Sequence, residues 1–272
     1  MLRLEPFVDQ KLADGCGFFT GAEARRVLGV SEAAFTASAT RLIKKAKLAH
    51  PRRGFYLIVR PEDRNAGAPD PAQWIAPLME HQGLDYRVSL LRAAAWHGSS
   101  HQAAMVFQVV TPRQLRDLTV GCHRLQFMFQ TERAFSAVNL PSYLDRIKTP
   151  AGYAQVAGVE LTLLDCARYL HDAGGINGVA QVAKDIGHKA DPRRLAKAAL
   201  AYEGSVVRRL GYLLELAGHS KAADALVLLA SAAKTYVALD PAVKPLVPSL
   251  AEEAEKIARW KLLLNESVEV DA

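Results

Sequence analysis

Residues 19–60 read FTGAEARRVLGVSEAAFTASATRLIKKAKLAHPRRGFYLIVR, and their spacing predicts most of the N-terminal fold. Thr20 is followed three residues later by Glu23, which is the spacing of a capping box at the start of a helix. The helical pattern stops at Gly29, a residue type that commonly follows the last turn of a helix. The sequence therefore predicts a short helix between Thr20 and Gly29.

A second helix is predicted from Ser31, as its N-cap, to Lys47. Apolar residues recur along one face of this helix, at Phe35, Ala39, Leu42, Ile43 and Ala46. The opposite face carries small, hydroxyl and cationic side chains, at Ala33, Ala37, Thr40, Arg41 and Lys44. Such a face is suited to the major groove of DNA, where small side chains permit close approach and cations meet phosphates.

A hairpin follows the second helix. Residues 48–50 and 55–59 read as strands, and Pro51-Arg52-Arg53-Gly54 reads as the tight turn between them. Leu4, Phe7, Val8 and Leu12 have helical spacing and predict one further helix before this unit. Three helices with a basic hairpin constitute a winged helix-turn-helix, and arginines at a hairpin tip suit phosphates or a narrow minor groove.

The charge distribution supports the DNA-binding hypothesis. Residues 1–60 contain 11 Lys and Arg against 5 Asp and Glu, a net charge of +6, whereas residues 61–272 contain 23 of each. The whole excess charge of the chain thus lies in the segment predicted to meet phosphates. A small basic helical unit that binds only protein is the alternative interpretation.

The chain of 272 residues is long enough for two domains. Residues 60–71 are rich in proline, charge and small side chains, and we predict a domain boundary near residue 70, giving a DNA-binding domain at 1–70 and a second domain at 71–272. No secretory signal is apparent, and the three widely spaced cysteines, Cys16, Cys122 and Cys166, do not indicate a disulfide framework. A cytoplasmic protein is expected.

The second domain is predicted to be α+β, with a small sheet followed by a C-terminal helical bundle. The predicted helices before and after the sheet are 85–96, 159–171, 178–187, 192–202, 206–217, 221–233 and 248–260. The predicted strands are 104–110 and 125–129, with weaker candidates at 147–149, 155–157 and an edge strand at 260–264.

Several blocks, in this order, resemble the AbiEi family, the antitoxins of bacterial type IV toxin-antitoxin systems first known from phage abortive infection. They are PRRGFYLI, YRVSLLRAAAWHG, AMVFQVV, RLQFMFQ, VELTLLDCARYL and YEGSVVRRLGYLLELAGH. The resemblance extends from about residue 5 to about residue 265. It implies an N-terminal winged helix that binds promoter repeats and represses its own operon, and a C-terminal antitoxin domain that counters an AbiEii-like nucleotidyltransferase toxin. Direct contact with that toxin is not implied.

On this interpretation, Thr36, Thr40 and Arg41 are candidates for contact with base edges. The candidates for contact with phosphates are Lys44, Lys45, Arg52 and Arg53. In the second domain, we consider a basic antitoxin surface made by Arg193, Arg194, Lys197, Arg208 and Arg209, against the alternative that these are ordinary exposed helix faces.

No catalytic, metal or cofactor set is predicted, and we do not expect an enzyme. His97 and His101 lack a third residue that could complete a metal site. Cys122 and His123 are adjacent in sequence, which does not place a nucleophile and a base in catalytic geometry. Asp165, in an apolar helix, is expected to cap it or to pair with Arg168 or another neighbour. The alternatives are a winged-helix regulator with a ligand-sensing second domain and, with less support, a nucleotide-transfer or nuclease enzyme guided to DNA.

Overall fold

A computed structural model describes residues 3–99, 106–149, 152–243 and 255–269. The N-terminal unit contains three helices and three strands in the order α1, β1, α2, α3, β2, β3. Their bounds are Leu4–Ala13, Phe18–Thr20, Gly21–Leu28, Glu32–Lys44, Leu48–Arg52 and Phe55–Ile58. The strands form an antiparallel sheet in which β3 lies between β1 and β2.

The local signals explain the N-terminal helices. Thr20 accepts a hydrogen bond from the backbone N–H of Glu23, and the Glu23 carboxylate accepts one from the backbone N–H of Thr20, so the predicted capping box is confirmed. Helix α3 ends at Lys44, and the prediction that it continues to Lys47 is wrong. The chain leaves the helix because Ala46 adopts φ of 51° and the N–H of Lys47 bonds back to the carbonyl of Leu42.

The rest of the chain begins with α4, β4, α5, β5, β6, β7, α6, β8 and β9. Their bounds are Ile75–His81, Arg87–Val88, Leu90–His97, Val106–Thr111, Leu118–Val120, His123–Phe129, Glu132–Val138, Leu144–Thr149 and Gly152–Ala157. The six strands β4–β9 form one mixed sheet in the order β6-β7-β5-β4-β9-β8. The predicted helix over 85–96 is wrong at its start, because Arg87 and Val88 pair as a strand with both β5 and β9.

Five helices, α7 to α11, pack on this sheet and on each other. Their bounds are Val159–Arg168, Gly175–Ile186, Pro192–Ala199, Gly204–Leu216 and Ser220–Ser231. A small sheet follows, with β10 at Val237–Ala238, β11 at Glu255–Ile257 and β12 at Leu262–Leu264. No helix in the described ranges has the length and apolar character to cross a membrane.

Two predictions for the C-terminal end are corrected. The predicted helix 248–260 is wrong over its described part, because residues 255–257 pair with β12 instead. The predicted edge strand at 260–264 is the central strand of the small sheet, since β12 pairs with β10 on one side and with β11 on the other. Residues 248–254 and 104–105 lie outside the described part of the chain.

The hairpin strand β3 joins the two halves of the molecule. Tyr56 and Ile58 belong to the small core under α1–α3, whereas Phe55 and Leu57 belong to the large core of the second half. Successive side chains of a strand point to opposite faces. The continuous apolar run FYLIV is thus explained by a strand that is covered on both faces.

The segment between the two halves is ordered and packed. Residues 61–63 and 71–73 each form a single turn of 3-10 helix, and Ala68, Pro69 and Pro71 are buried. The N–H of Cys122, in the turn before β7, donates to the carbonyl of Ala66 at 2.7 Å. The N-terminal unit is therefore held against the large sheet by side chains and by backbone hydrogen bonds.

Candidate nucleic-acid interface and antitoxin domain

Helix α3 is fixed by one buried face. The Ser31 hydroxyl caps it by accepting a hydrogen bond from the N–H of Ala34 at 3.3 Å. Phe35, Ala39 and Leu42 are buried in the small core, with exposed fractions of 5% or less. These residues lie on one side of the helix. The opposite side of the helix therefore faces solvent, and residues spaced three or four apart on that side form one continuous face.

The outward face of α3 is exposed along its whole length. It consists of Ala33, Thr36, Ala37, Thr40, Arg41 and Lys44. The Thr40 hydroxyl donates to the Thr36 carbonyl at 2.8 Å, and the Arg41 guanidinium donates to the Ser38 hydroxyl at 3.1 Å. Both contacts lie within the helix, so neither removes the face from solvent. The structure thus places Thr36, Thr40, Arg41 and Lys44 on one accessible surface.

Several other cations of the N-terminal unit form ion pairs with carboxylates of the same unit. Lys47 pairs with Glu5 and lowers the pKa of that carboxyl, Lys11 pairs with Glu23, and Arg25 lies 3.2 Å from Glu32. Within the described residues, no carboxylate lies within ion-pair distance of Arg41, Lys44 or Lys45. Arg41, Lys44 and Lys45, on the α3 face and at its C-terminal end, are therefore among the cations of this unit that are available to an external anion.

The two hairpin arginines have different surroundings. Gly54, with φ of 78°, permits the tight turn that separates them from β3. Arg52 is half-buried, lies 5.7 Å from the centre of the Phe127 ring and donates to the carbonyl of Arg116. Burial, with repulsion from Arg116 as a further cause, lowers the pKa of Arg52. Arg52 is thus directed at the second half of the molecule.

Arg53, by contrast, is exposed at the turn. Its backbone carbonyl lies 3.1 Å from Nε2 of His81 in α4, which holds the hairpin tip against the second half. Of the two arginines predicted to contact phosphates, Arg53 is the one whose side chain faces solvent.

The five cations considered as an antitoxin surface are not brought together. Arg193 and Lys197 are exposed on α9, whereas the guanidinium of Arg194 lies 3.3 Å from Glu160 and 2.5 Å from the Ser142 carbonyl. Arg208 and Arg209 on α10 are only 6% and 8% exposed.

Backbone carbonyls explain why these two arginines lie inside. Arg208 donates to the carbonyl of Thr235 at 2.8 Å, and Arg209 donates to that of Leu239 at 2.8 Å. Burial lowers the pKa of both arginines. Through these hydrogen bonds the two arginines hold the segment around β10 against α10. The pattern of charges in the sequence does not predict this structural role.

A buried polar cluster lies where α7 meets the large sheet. The Asp165 carboxylate, which is not exposed at all, accepts hydrogen bonds from Nε and Nη2 of Arg87, both at 2.9 Å. It also accepts hydrogen bonds from the hydroxyls of Ser89 at 2.6 Å and Tyr202 at 2.7 Å. Arg87 donates in addition to the side-chain oxygen of Gln130 at 2.7 Å.

The pKa directions agree with this geometry. Burial is the largest single influence on the pKa of Arg87 and lowers it, but the charge and hydrogen bonds of Asp165, together with Tyr202 and Tyr169, outweigh burial and the net shift is upward. Burial, followed by the same carboxylate, raises the pKa of Tyr202. The expectation that Asp165 pairs with a neighbour is confirmed, although the partner is Arg87 and Arg168 pairs with Glu203. Because Arg87 and Asp165 are 78 positions apart, no local pattern in the sequence predicts that they pair.

The histidines considered as ligands have structural partners. Nε2 of His97 lies 2.7 Å from the Ala157 carbonyl, and Nε2 of His123 lies 3.0 Å from the Ala68 carbonyl. His101 lies outside the described residues. In the part of the chain that the structure describes, no three His, Cys, Asp or Glu side chains form a group that could hold a metal ion.

These features define an α+β protein in which a small helix and hairpin unit is fused to a larger domain of mixed sheet and helices. Residues 87–216 match the family of the AbiEi antitoxin C-terminal domain. The match confirms the resemblance to the AbiEi antitoxin family over these residues. An antitoxin or regulator role within a toxin-antitoxin system follows at the level of the family.

The whole fold is similar to that of the RV2827C protein from Mycobacterium tuberculosis, known from a crystal structure. The TM-score is 0.67 at 17% sequence identity, over 94% of this chain and 89% of that one. At this identity the comparison concerns the fold alone. No curated protein matches the chain.

Proposed function

We propose that the protein is the antitoxin of a type IV toxin-antitoxin system and represses its own operon by binding promoter repeats. In this proposal the N-terminal unit is a winged helix-turn-helix domain, with α2 and α3 as its helix pair and β2–β3 as its wing. The observation that carries it is the outward face of α3, where Arg41 and Lys44 are exposed and have no carboxylate partner among the described residues.

The proposed contacts follow from the exposed positions. Helix α3 enters the major groove, with Thr36, Thr40 and Arg41 at base edges and Lys44 and Lys45 at phosphates. Ala33 and Ala37 leave room for the helix to approach the base pairs.

At the wing, Arg53 is the proposed phosphate contact. Arg52 serves chiefly to hold the hairpin against Phe127 and Arg116, as its burial supports.

The antitoxin activity is proposed to reside in the domain that contains residues 87–216, which match the antitoxin family. The toxin it counters is proposed to be an AbiEii-like nucleotidyltransferase encoded beside it. A chain that begins near residue 71 is a poor test of this activity, because Phe55 and Leu57 belong to the large core and their removal uncovers it.

DNA binding is tested by fluorescence anisotropy with a labelled duplex from the region upstream of the gene, at several salt concentrations. With the three proposed phosphate contacts, at Lys44, Lys45 and Arg53, the slope of log affinity against log salt should be about −3. Arg41→Ala should weaken binding by about 1–3 kcal/mol and relax the preference for one base pair.

Arg64→Ala is the matched control, because this exposed arginine lies outside α3. Unchanged affinity and unchanged sequence preference in Arg41→Ala would contradict the assignment of α3 as the recognition helix.

Antitoxin activity is tested by co-expression with the neighbouring gene. Growth should be restored by the full chain and also by the full-length Arg41→Ala, Lys44→Ala double variant, which keeps the fold because both side chains are exposed. If only the chain that binds DNA restores growth, the protein acts through repression alone and the antitoxin proposal is wrong.

A further inference from the structure

A groove of about 460 Å³ lies between α6 and the C-terminal end of α9. Its apolar walls include Leu140 and Leu200, whose side chains are 44% and 70% exposed. Between them lie small or buried apolar residues, namely Ala134, Ala137, Val138 and Ala201. Two large leucines are thus exposed on one concave surface, where covering them with the apolar side chains of a partner would be favourable.

Two of the four described polar residues that line this α6–α9 groove are cationic. Arg133 and Lys197 line it, and none of the lining residues in the described part of the chain is a carboxylate. Arg193 precedes Lys197 by one helical turn and therefore lies on the same side of α9. Within the described ranges, no acid forms an ion pair with Arg133, Arg193 or Lys197. The groove thus combines an apolar floor with a rim of three available cations.

We propose that the α6–α9 groove is a docking site for an acidic amphipathic helix of a protein partner. This inference rests on the proposed antitoxin function, since it assigns a contact surface to the domain that carries it. The helix would place its apolar side chains between Leu140 and Leu200 and its carboxylates against Arg133, Arg193 and Lys197.

Charge and shape favour this occupant over two others. A second copy of the chain would bring the same cations to face one another across a two-fold interface, and like charges there are unfavourable. A single-stranded nucleic acid would need exposed aromatic rings for its bases. Among the described residues that line the groove, Tyr143 is the one aromatic, and it is only 5% exposed, with the Arg194 guanidinium 5.8 Å from its ring centre.

The test uses the full chain and two labelled synthetic helices of about 18 residues, a length at which a helix is marginally stable in water. Both peptides carry leucines along one face. One has glutamates flanking the leucines and the other has lysines. Fluorescence anisotropy should show binding of the acidic peptide and at least about fivefold weaker binding of the basic one.

Leu200→Glu and Lys197→Glu should each weaken binding of the acidic peptide at least about fivefold. Leu228→Glu and Lys221→Glu are matched controls, because Leu228 is 83% exposed and Lys221 is exposed, both on α11, and neither lines the groove. All four changes are at exposed positions, so the fold should be retained. Equal binding of the two peptides, or wild-type affinity in Leu200→Glu, overturns the proposal.

Toxin rescue separates this inference from the function on which it rests. If the wild-type chain fails to restore growth, the antitoxin function is wrong. If the wild-type chain restores growth and Leu200→Glu restores it equally, the docking site is wrong and the function stands. Loss of rescue by Leu200→Glu, with operator binding unchanged and with Leu228→Glu active, supports the docking site.

Discussion

Replacing Asp165 by alanine should destabilise the protein more than any change of a surface charge. The carboxylate is completely buried and accepts four hydrogen bonds, two from Arg87 and one each from Ser89 and Tyr202. Its removal leaves the Arg87 charge without a counterion in the interior, and two hydroxyl donors without their acceptor. Breaking a buried pair in this way costs about 3–5 kcal/mol.

That cost is a large part of the total stability of a typical domain, which is about 5–15 kcal/mol. In urea unfolding followed by circular dichroism, Asp165→Ala should therefore lose about 3–5 kcal/mol of unfolding free energy. Asp224→Ala is the matched control, because Asp224 also pairs with an arginine, Arg259, but both side chains are substantially exposed. Its loss should be below about 1 kcal/mol.

The double variant Arg87→Met, Asp165→Leu separates the charge from the packing. Nη1 of Arg87 has no hydrogen-bond partner among the described residues, so the pair is not fully satisfied even in the native protein. Apolar replacement of both partners should make the double variant at least about 2 kcal/mol more stable than Asp165→Ala. A loss below about 1 kcal/mol in Asp165→Ala, or a double variant no more stable than Asp165→Ala, would show that the buried pair does not control the stability of this region.

Three further predictions concern stability and reactivity. Gly211→Ala on α10 should cost about 1–3 kcal/mol, because its Cβ would lie 2.1 Å from the ring of the buried Trp260, and tryptophan fluorescence during urea unfolding measures the loss. Thr20→Ala should cost about 1 kcal/mol in thermal unfolding through loss of the capping box, and no change in melting temperature would contradict that role. Burial raises the pKa of the Cys166 thiol above its unfolded value, so its contribution to stability is present below about pH 8.5 and decreases as the pH rises further. Cys166→Ala should accordingly show a smaller loss of stability between about pH 8 and about pH 10 than the wild type, and iodoacetamide should label the exposed Cys122 in the native protein but Cys166 only after unfolding.

Local signals predicted the N-terminal unit well. The capping box at Thr20, the turn at Gly29 and the alternation of buried and exposed positions along α3 are all properties of residues close in sequence. The predictions were wrong where pairing with distant strands determines conformation. Arg87 and Val88 continue a helical pattern but form a strand, since β5 and β9 are both available to pair with them.

The candidate site residues divide in the same way. Arg41 and Lys44 were assigned to an exposed helix face from periodicity, and the structure places them there. The charge pattern could not separate Arg193 and Lys197, which face solvent, from Arg208 and Arg209, which are buried against backbone carbonyls. The sequence shows the sign of each charged residue, but whether that residue is buried depends on which distant parts of the chain pack against it.

The starts of α2 and α3, the basic N-terminal segment and the resemblance to an antitoxin family could be read from the sequence alone, because each depends on residues near one another or on their order along the chain. Only the tertiary structure decided that β3 is covered on both faces, that Asp165 meets Arg87, and that Leu140 and Leu200 line one groove. These are contacts between residues that are distant in the chain. They form because packing of the whole molecule, with its hydrophobic burial and hydrogen-bond satisfaction, selects them from many pairings that local propensity leaves equally possible.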